Sequence, residues 1–177
     1  MIYRQLIVED LDKYSSDIFS CYKSNTLVFD CQNPIAIARE DQAIEFLYGF
    51  IAAPDSMVMG IFDDNEDFLY GLIIFDNIRF GEDAKGNPVS CAQLHIVNDK
   101  SIFGKVLRDL HNQILDSVLF TTLYCEIPEN AVHAIAICKR LGFKKTGYIP
   151  HALPYRNSLG KEIMHDIQVW SLDRRID

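Results

Sequence analysis

The stretch Cys125-Glu-Ile-Pro-Glu-Asn-Ala-Val-His-Ala-Ile-Ala-Ile-Cys-Lys-Arg-Leu-Gly-Phe143 decides how the rest of the chain is read. Its beginning belongs to a strand over 121–127, and its middle to a helix over 130–141 that Asn130 is able to cap. Gly142 stands where a left-handed glycine closes a helix, and a further strand runs over 143–149. A strand–helix–glycine–strand unit of this kind needs a sheet to pack on, and the flanking sequence supplies one.

Downstream, 162–172 pairs with that last strand across a loop at 150–161. Upstream, 104–120 is an amphipathic helix, with Leu107, Leu110, Ile114 and Val118 at helical spacing. Before it come three strand-like runs, 57–62, 68–80 and 89–97, joined by an Asp/Asn turn at 63–66 and a Gly/Pro loop at 81–88. Short turns between them indicate an antiparallel meander. The chain opens with a strand at 2–8 and helices at 11–23 and 39–53, with Asn33-Pro34 as a break between them. The order β-α-α-β-β-β-α-β-α-β-β describes a mixed α/β (α+β) sheet, antiparallel in its first half and helix-connected in its second. No repeat or linker divides residues 1–177, so a single domain is expected.

The 177 residues carry 17 basic and 25 acidic side chains, a net charge of −8. That balance argues against non-specific nucleic-acid binding, which needs a basic footprint. No apolar run approaches the roughly 20 residues of a membrane span, and the first ten residues do not read as a secretory signal. The five cysteines, Cys21, Cys31, Cys91, Cys125 and Cys138, show no CxxC and no Cys/His zinc spacing. Reduced thiols, a cytoplasmic location and no metal are expected.

The element order, together with Ala134-Ile135 and Cys138-Lys-Arg-Leu-Gly-Phe143, resembles the GCN5-related N-acetyltransferase (GNAT) superfamily, whose corresponding helix reads A-I-x-L-Y-E-K-L-G-F. Lys144-Lys-Thr-Gly-Tyr148 is similar to the family's next strand, and Ile2-Tyr-Arg-Gln-Leu6 to its first. The resemblance implies about seven strands, mostly antiparallel, flanked by helices and splayed between the fourth and fifth. The splay is expected after Ile96-Val97 and around Cys125-Glu126.

What the resemblance implies about chemistry follows residue by residue. Backbone at Ile96 and Val97 would pair with the pantetheine arm of acetyl-CoA, a cosubstrate. A helix N-terminus formed by Lys100, Ser101, Ile102, Phe103, Gly104 and Lys105 would meet the pyrophosphate. This loop departs from the family's Gln/Arg-x-x-Gly-x-Gly/Ala pattern, with Asp99 and Ile102 at two of its positions. Ala131 falls where the family's pantetheine-binding asparagine stands, and Asn130 lies one residue early.

Acetyl transfer to an amine needs a base for the ammonium, a donor for the oxyanion and a proton for the departing thiolate. The resemblance offers Glu126 as the base, directly or through water, and an N–H at or next to Val97 for the oxyanion. It puts Cys138 at the position of the tyrosine that protonates the thiolate. Tyr148 is the next candidate donor, ahead of Tyr124. Tyr155 and Arg156, in a loop over the acceptor side, are the expected acceptor contacts. His95 reads as a satisfied strand histidine.

Two function classes follow. One is an acetyltransferase moving an acetyl group from acetyl-CoA to a primary amine of a small molecule or protein, by direct attack in a ternary complex. An acidic surface would steer a cationic acceptor to it. The other is a fold that has lost catalysis and serves as an assembly module, similar to degenerate GNAT-like proteins of bacteriophages, or as an acyl-CoA sensor. A monomer or a homodimer fits either class. The strand at 162–172 is a candidate edge for pairing with a second copy, with Trp170 at that edge or in the core.

Overall fold

The computed structural model describes residues 1–24, 37, 39–98, 103–109, 120–156 and 162–174. Seven strands, β1 (Ile2–Gln5), β2 (Met57–Phe62), β3 (Leu69–Glu82), β4 (Pro88–Asn98), β5 (Thr122–Pro128), β6 (Lys144–Arg156) and β7 (Glu162–Asp173), form one sheet in the order β1-β2-β3-β4-β5-β7-β6. Every neighbouring pair is antiparallel except β4 and β5. The described helices are α1 (Val8–Lys13), α2 (Ser15–Ser24), α3 (Glu40–Ala52), α4 (Phe103–Asp109) and α5 (Val132–Arg140).

The sheet is buried on both faces, which is why its central strands read as nearly continuous apolar runs. Along β3, Leu72 and Ile74 pack under α1–α3 with Leu11, Tyr14, Ile18, Ala43 and Leu47. Ile73 and Phe75 face the other way, into a core with Ala92, Leu94, Leu123, Cys125, Cys138 and Trp170. The first expected helix is broken into two at Tyr14, whose side chain is buried and whose hydroxyl donates to the Glu66 carbonyl at 2.7 Å.

The end of α5 has the geometry its sequence predicts. Gly142 has φ +85°. Its N–H donates to the Lys139 carbonyl at 3.2 Å, and the Phe143 N–H reaches back to Cys138 at 2.9 Å. These are the two bonds of a Schellman close.

Three expectations are corrected. Asn130 does not cap α5: the N-cap is Ala131, without a side-chain cap bond. A tight turn, with Ala131 N–H on the Pro128 carbonyl (2.9 Å) and Val132 N–H on Asn130 (3.0 Å), delays the helix by two residues. The loop expected from residue 150 is instead strand to Arg156. The ladder slips between Ile149 and Leu153 and then resumes, with Pro154 opposite Met164. A proline is tolerated there because β6 is an outer strand. Finally β7 lies between β5 and β6, so it offers no edge to a second copy, and Trp170 is in the core. The Asn33-Pro34 break, residues 110–119 and the loop at 157–161 lie outside the described residues.

A candidate active site where β4 and β5 part

β4 and β5 are locked together at one end. The Ser90 N–H donates to Thr121 Oγ1 (2.9 Å), the Thr121 hydroxyl donates to the Ser90 carbonyl (2.7 Å), and the Thr121 N–H reaches Ser90 Oγ (3.2 Å). Pairing then covers Cys91–Thr122, Ala92–Leu123 and Gln93–Tyr124, and stops. β4 continues to Asn98 paired with β3, and β5 continues to Pro128 paired with β7. The opening therefore begins four residues earlier on β4 than the sequence suggested. Among the described residues no ladder joins the strands past Gln93, so the β5-facing backbone groups of 94–97 are offered to an extended amide-bearing chain.

A bulge in β3 sits beside this branch point. The register shifts between Asp76 and Arg79, and Asn77 adopts φ +52°. Asn77 Nδ2 donates to Gln93, the last paired residue of β4, at 3.1 Å and to Asp76 at 3.2 Å. Asp76 Oδ1 accepts from the Asn77 N–H (2.7 Å) and the Ser56 hydroxyl (3.0 Å). Bulges that re-aim side chains next to active sites are a recurrent device.

Side-chain alternation assigns the two faces of the opening. Leu123, Cys125 and Ile127 are buried in the α5-side core, so Tyr124 and Glu126 lie on the α1–α3 side. Cys91, Gln93, His95 and Val97 share that side. Burial raises the Tyr124 phenol above its usual pKa, and the Glu126 charge adds to the effect.

His95 departs from its expected role. Its Nε2 is enclosed and has no hydrogen-bond partner, and it lies 3.9 Å from Asp76 Oδ2. The Phe50 ring of α3 sits 6.2 Å from the imidazole. Burial holds the imidazole pKa below its ordinary value, and the Asp76 charge opposes only part of that. What singles it out is position, two residues past Gln93, the last residue of β4 that pairs with β5. That residue could not be known without the register.

The remaining candidates are distributed as follows. Ile96 pairs with Ile73 and is half-buried, and Val97 pairs with Leu72 and is buried under α1–α3. Gly104 and Lys105 are exposed in the first turn of α4, which Phe103 begins. Lys100, Ser101 and Ile102, like Asp99, lie outside the described residues. Asn130 is exposed in its turn, and Ala131 packs partly against the core.

Cys138 is 5% exposed, inside the α5-side core and in hydrogen-bond contact with Cys125. The contact draws the Cys138 thiol pKa down, while the same contact and burial push Cys125 well up. Tyr148 is not brought to the opening. It sits two strands away on β6, about 10 Å to the side, exposed and donating to the Asp166 carboxylate. Tyr155 and Arg156 are paired in the β6–β7 ladder, opposite Ile163 and Glu162. Among the described residues no three potential metal ligands cluster, and no helix is long and apolar enough to cross a membrane.

This topology, with its parallel pair opening midway, is the GNAT fold, and the chain is a divergent example of it. It is similar over 98% of its length to 95% of a spermidine N-acetyltransferase from Vibrio cholerae solved with CoA and spermine, at TM-score 0.70 and 17% identity. A GNAT-family acetyltransferase from Bacillus anthracis aligns over 98% of this chain and 95% of its own, at TM-score 0.66 and 14% identity. RimL, a ribosomal L7/L12 alpha-N-protein acetyltransferase solved with CoA in a disulfide to one of its cysteines, aligns over 99% and 94%, at 0.69 and 14%. No protein-family model and no curated protein sequence matches the chain.

Proposed function

We propose that this protein is an N-acetyltransferase that moves an acetyl group from acetyl-CoA to a primary amine, by direct attack within a ternary complex. The observation that carries the reading is the end of β4–β5 pairing at Gln93–Tyr124, with both strands continuing beyond it. A sheet does not leave two adjacent interior strands unpaired without cost, since each buried backbone group without a partner costs about 1–3 kcal/mol. The pantetheine arm carries two amides and would satisfy the groups of 94–97 as an added strand. Lys105, exposed in the first turn of α4, fits the charge of the nucleotide end.

The amine approaches from the α1–α3 side, where Tyr124 and Glu126 line the opening. Glu126 receives the ammonium there by charge. A backbone N–H of the free part of β4, at or next to Val97, polarises the thioester carbonyl. The buried setting of Cys138 favours a packing role over donation to the thiolate. A cationic acceptor such as a polyamine or a protein N-terminus suits the net charge of −8. The spermine and the ribosomal-protein substrate in the names of two structural neighbours support the same acceptor chemistry.

Calorimetric titration with acetyl-CoA tests the first half of the reading. Saturable binding is expected, and its absence at millimolar ligand overturns the reading. Thiol release with spermidine and with an N-terminal peptide tests the second half. Glu126→Gln is expected to raise KM for the amine.

A further inference from the structure

The transferase reading leaves open where the ammonium proton goes. Continuing the β4–β5 register past Gln93–Tyr124 would put His95 opposite Glu126. The opening separates them, so the two side chains stand on its two lips, on the same face. They differ in kind. Glu126 carries a charge that attracts a cation, whereas His95 is a weakly solvated imidazole with an unpartnered Nε2. We infer that His95 is the proton acceptor of the reaction, oriented by Asp76, while Glu126 binds the ammonium.

The inference rests on the transferase reading and deepens it. Asp76 is fixed by the Ser56 hydroxyl and both the backbone and side chain of Asn77, and its Oδ2 lies 3.9 Å from His95 Nε2. The 3.9 Å separation is roughly 1 Å beyond a hydrogen bond, a gap that catalytic contacts commonly close when substrate binds. A proton held on Nε2 towards Asp76 leaves the Nδ1 lone pair as the base.

The groups shown around the imidazole are the Asp76 carboxylate from β3, the one charge that acts on it, and the Phe50 ring from α3. Burial holds the imidazole neutral to lower pH than usual, so it meets the ammonium unprotonated.

The step balances as follows. One ammonium proton passes to His95. The freed nitrogen lone pair bonds the thioester carbonyl carbon, the C–S bond breaks, and its electron pair leaves on the CoA sulfur. The second proton lost by the nitrogen goes to that sulfur. His95 then releases its proton to solvent.

The test uses the full chain, acetyl-CoA and spermidine. His95→Gln is expected to lower kcat by about 10²–10⁴-fold while calorimetric acetyl-CoA binding is kept, and Glu126→Gln to act mainly on KM. Loss of the acidic limb of the kcat/KM–pH profile in His95→Gln also supports the assignment. Retained kcat in His95→Gln overturns it and leaves the transferase reading standing. Acetyl-CoA binding without thiol release in the wild type overturns both. If the variant does not fold, ¹⁵N-histidine NMR of the wild-type chain decides: an Nε2–H tautomer at His95 near pH 7 supports the assignment, and an Nδ1–H tautomer or an imidazolium overturns it.

Discussion

His95 on β4 and Glu126 on β5 occupy the first positions on the α1–α3 face at which the two strands no longer pair. In an unbroken parallel ladder they would be cross-strand neighbours about 4.8 Å apart. Two polar side chains stand on the lips of one opening, with the β3 bulge and Asp76 behind one of them. The lock between Ser90 and Thr121 ensures that the sheet separates at this end only.

The far tip of β4 depends on Gly71. A Cβ there would stand 2.7 Å from Asn98 Cβ and 3.0 Å from the Val97 carbonyl. Gly71→Val is therefore expected to displace the end of β4 and cost about 1–3 kcal/mol. Thermal melts with and without CoA should show a lower Tm and a reduced ligand-induced rise; an unchanged rise would mean that the tip of β4 does not contact the ligand.

The Schellman close of α5 needs a left-handed residue at 142. Gly142→Ala should cost about 1–2 kcal/mol in urea unfolding with the m-value unchanged. A Cβ at this position meets only Leu172 at 3.7 Å, an ordinary contact, so the cost is backbone conformation and not crowding.

Arg4 and Asp10 tie β1 to α1. Asp10 accepts from Arg4 at 2.7 and 2.9 Å and, as the third residue of α1, reaches back to the Ile7 N–H at 3.0 Å. The Arg4 guanidinium also stacks 4.3 Å from the Phe62 ring centroid and bonds Glu66 at 2.8 Å. The Arg4 bonds hold the Asp10 carboxyl below the usual range, against the opposing effect of burial. Its stabilisation is thus complete above the unfolded value near 3.9 and is lost as pH falls through the lower folded value. Asp10→Asn should cost about 1–3 kcal/mol near neutrality, measured by denaturant unfolding, and the loss should shrink in acid.

His95 has the opposite linkage. Its folded pKa lies below the unfolded value near 6.5, so the unfolded chain binds the extra proton first. Stability should fall as pH drops from about 6.5 towards the folded pKa, above the window in which Asp10 titrates. His95→Gln should flatten that part of the stability–pH curve. An unchanged curve would mean that the imidazole is solvated.

Local rules account for what was legible without coordinates. The Leu141-Gly142-Phe143 close, the buried spacing of Leu11, Tyr14 and Ile18, and the apolar run of β3 each depend on residues within a few positions of one another. Hydrophobic period and glycine chemistry act at that range. The placement of Tyr148, Trp170 and His95 was not legible, because each depends on pairing between distant segments. Tyr148 is carried to the outer strand by the β6–β7 register, and Trp170 is buried because β7 inserts between β5 and β6. His95 stands on the lip of the opening because pairing with β5 ends at Gln93, two residues before it. Strand neighbours are chosen by long-range burial and hydrogen bonding, which no local stretch encodes. For that reason the family of folds was readable from one helix and its glycine, while the identity of the residues on the lips of the opening had to wait for the register of the sheet.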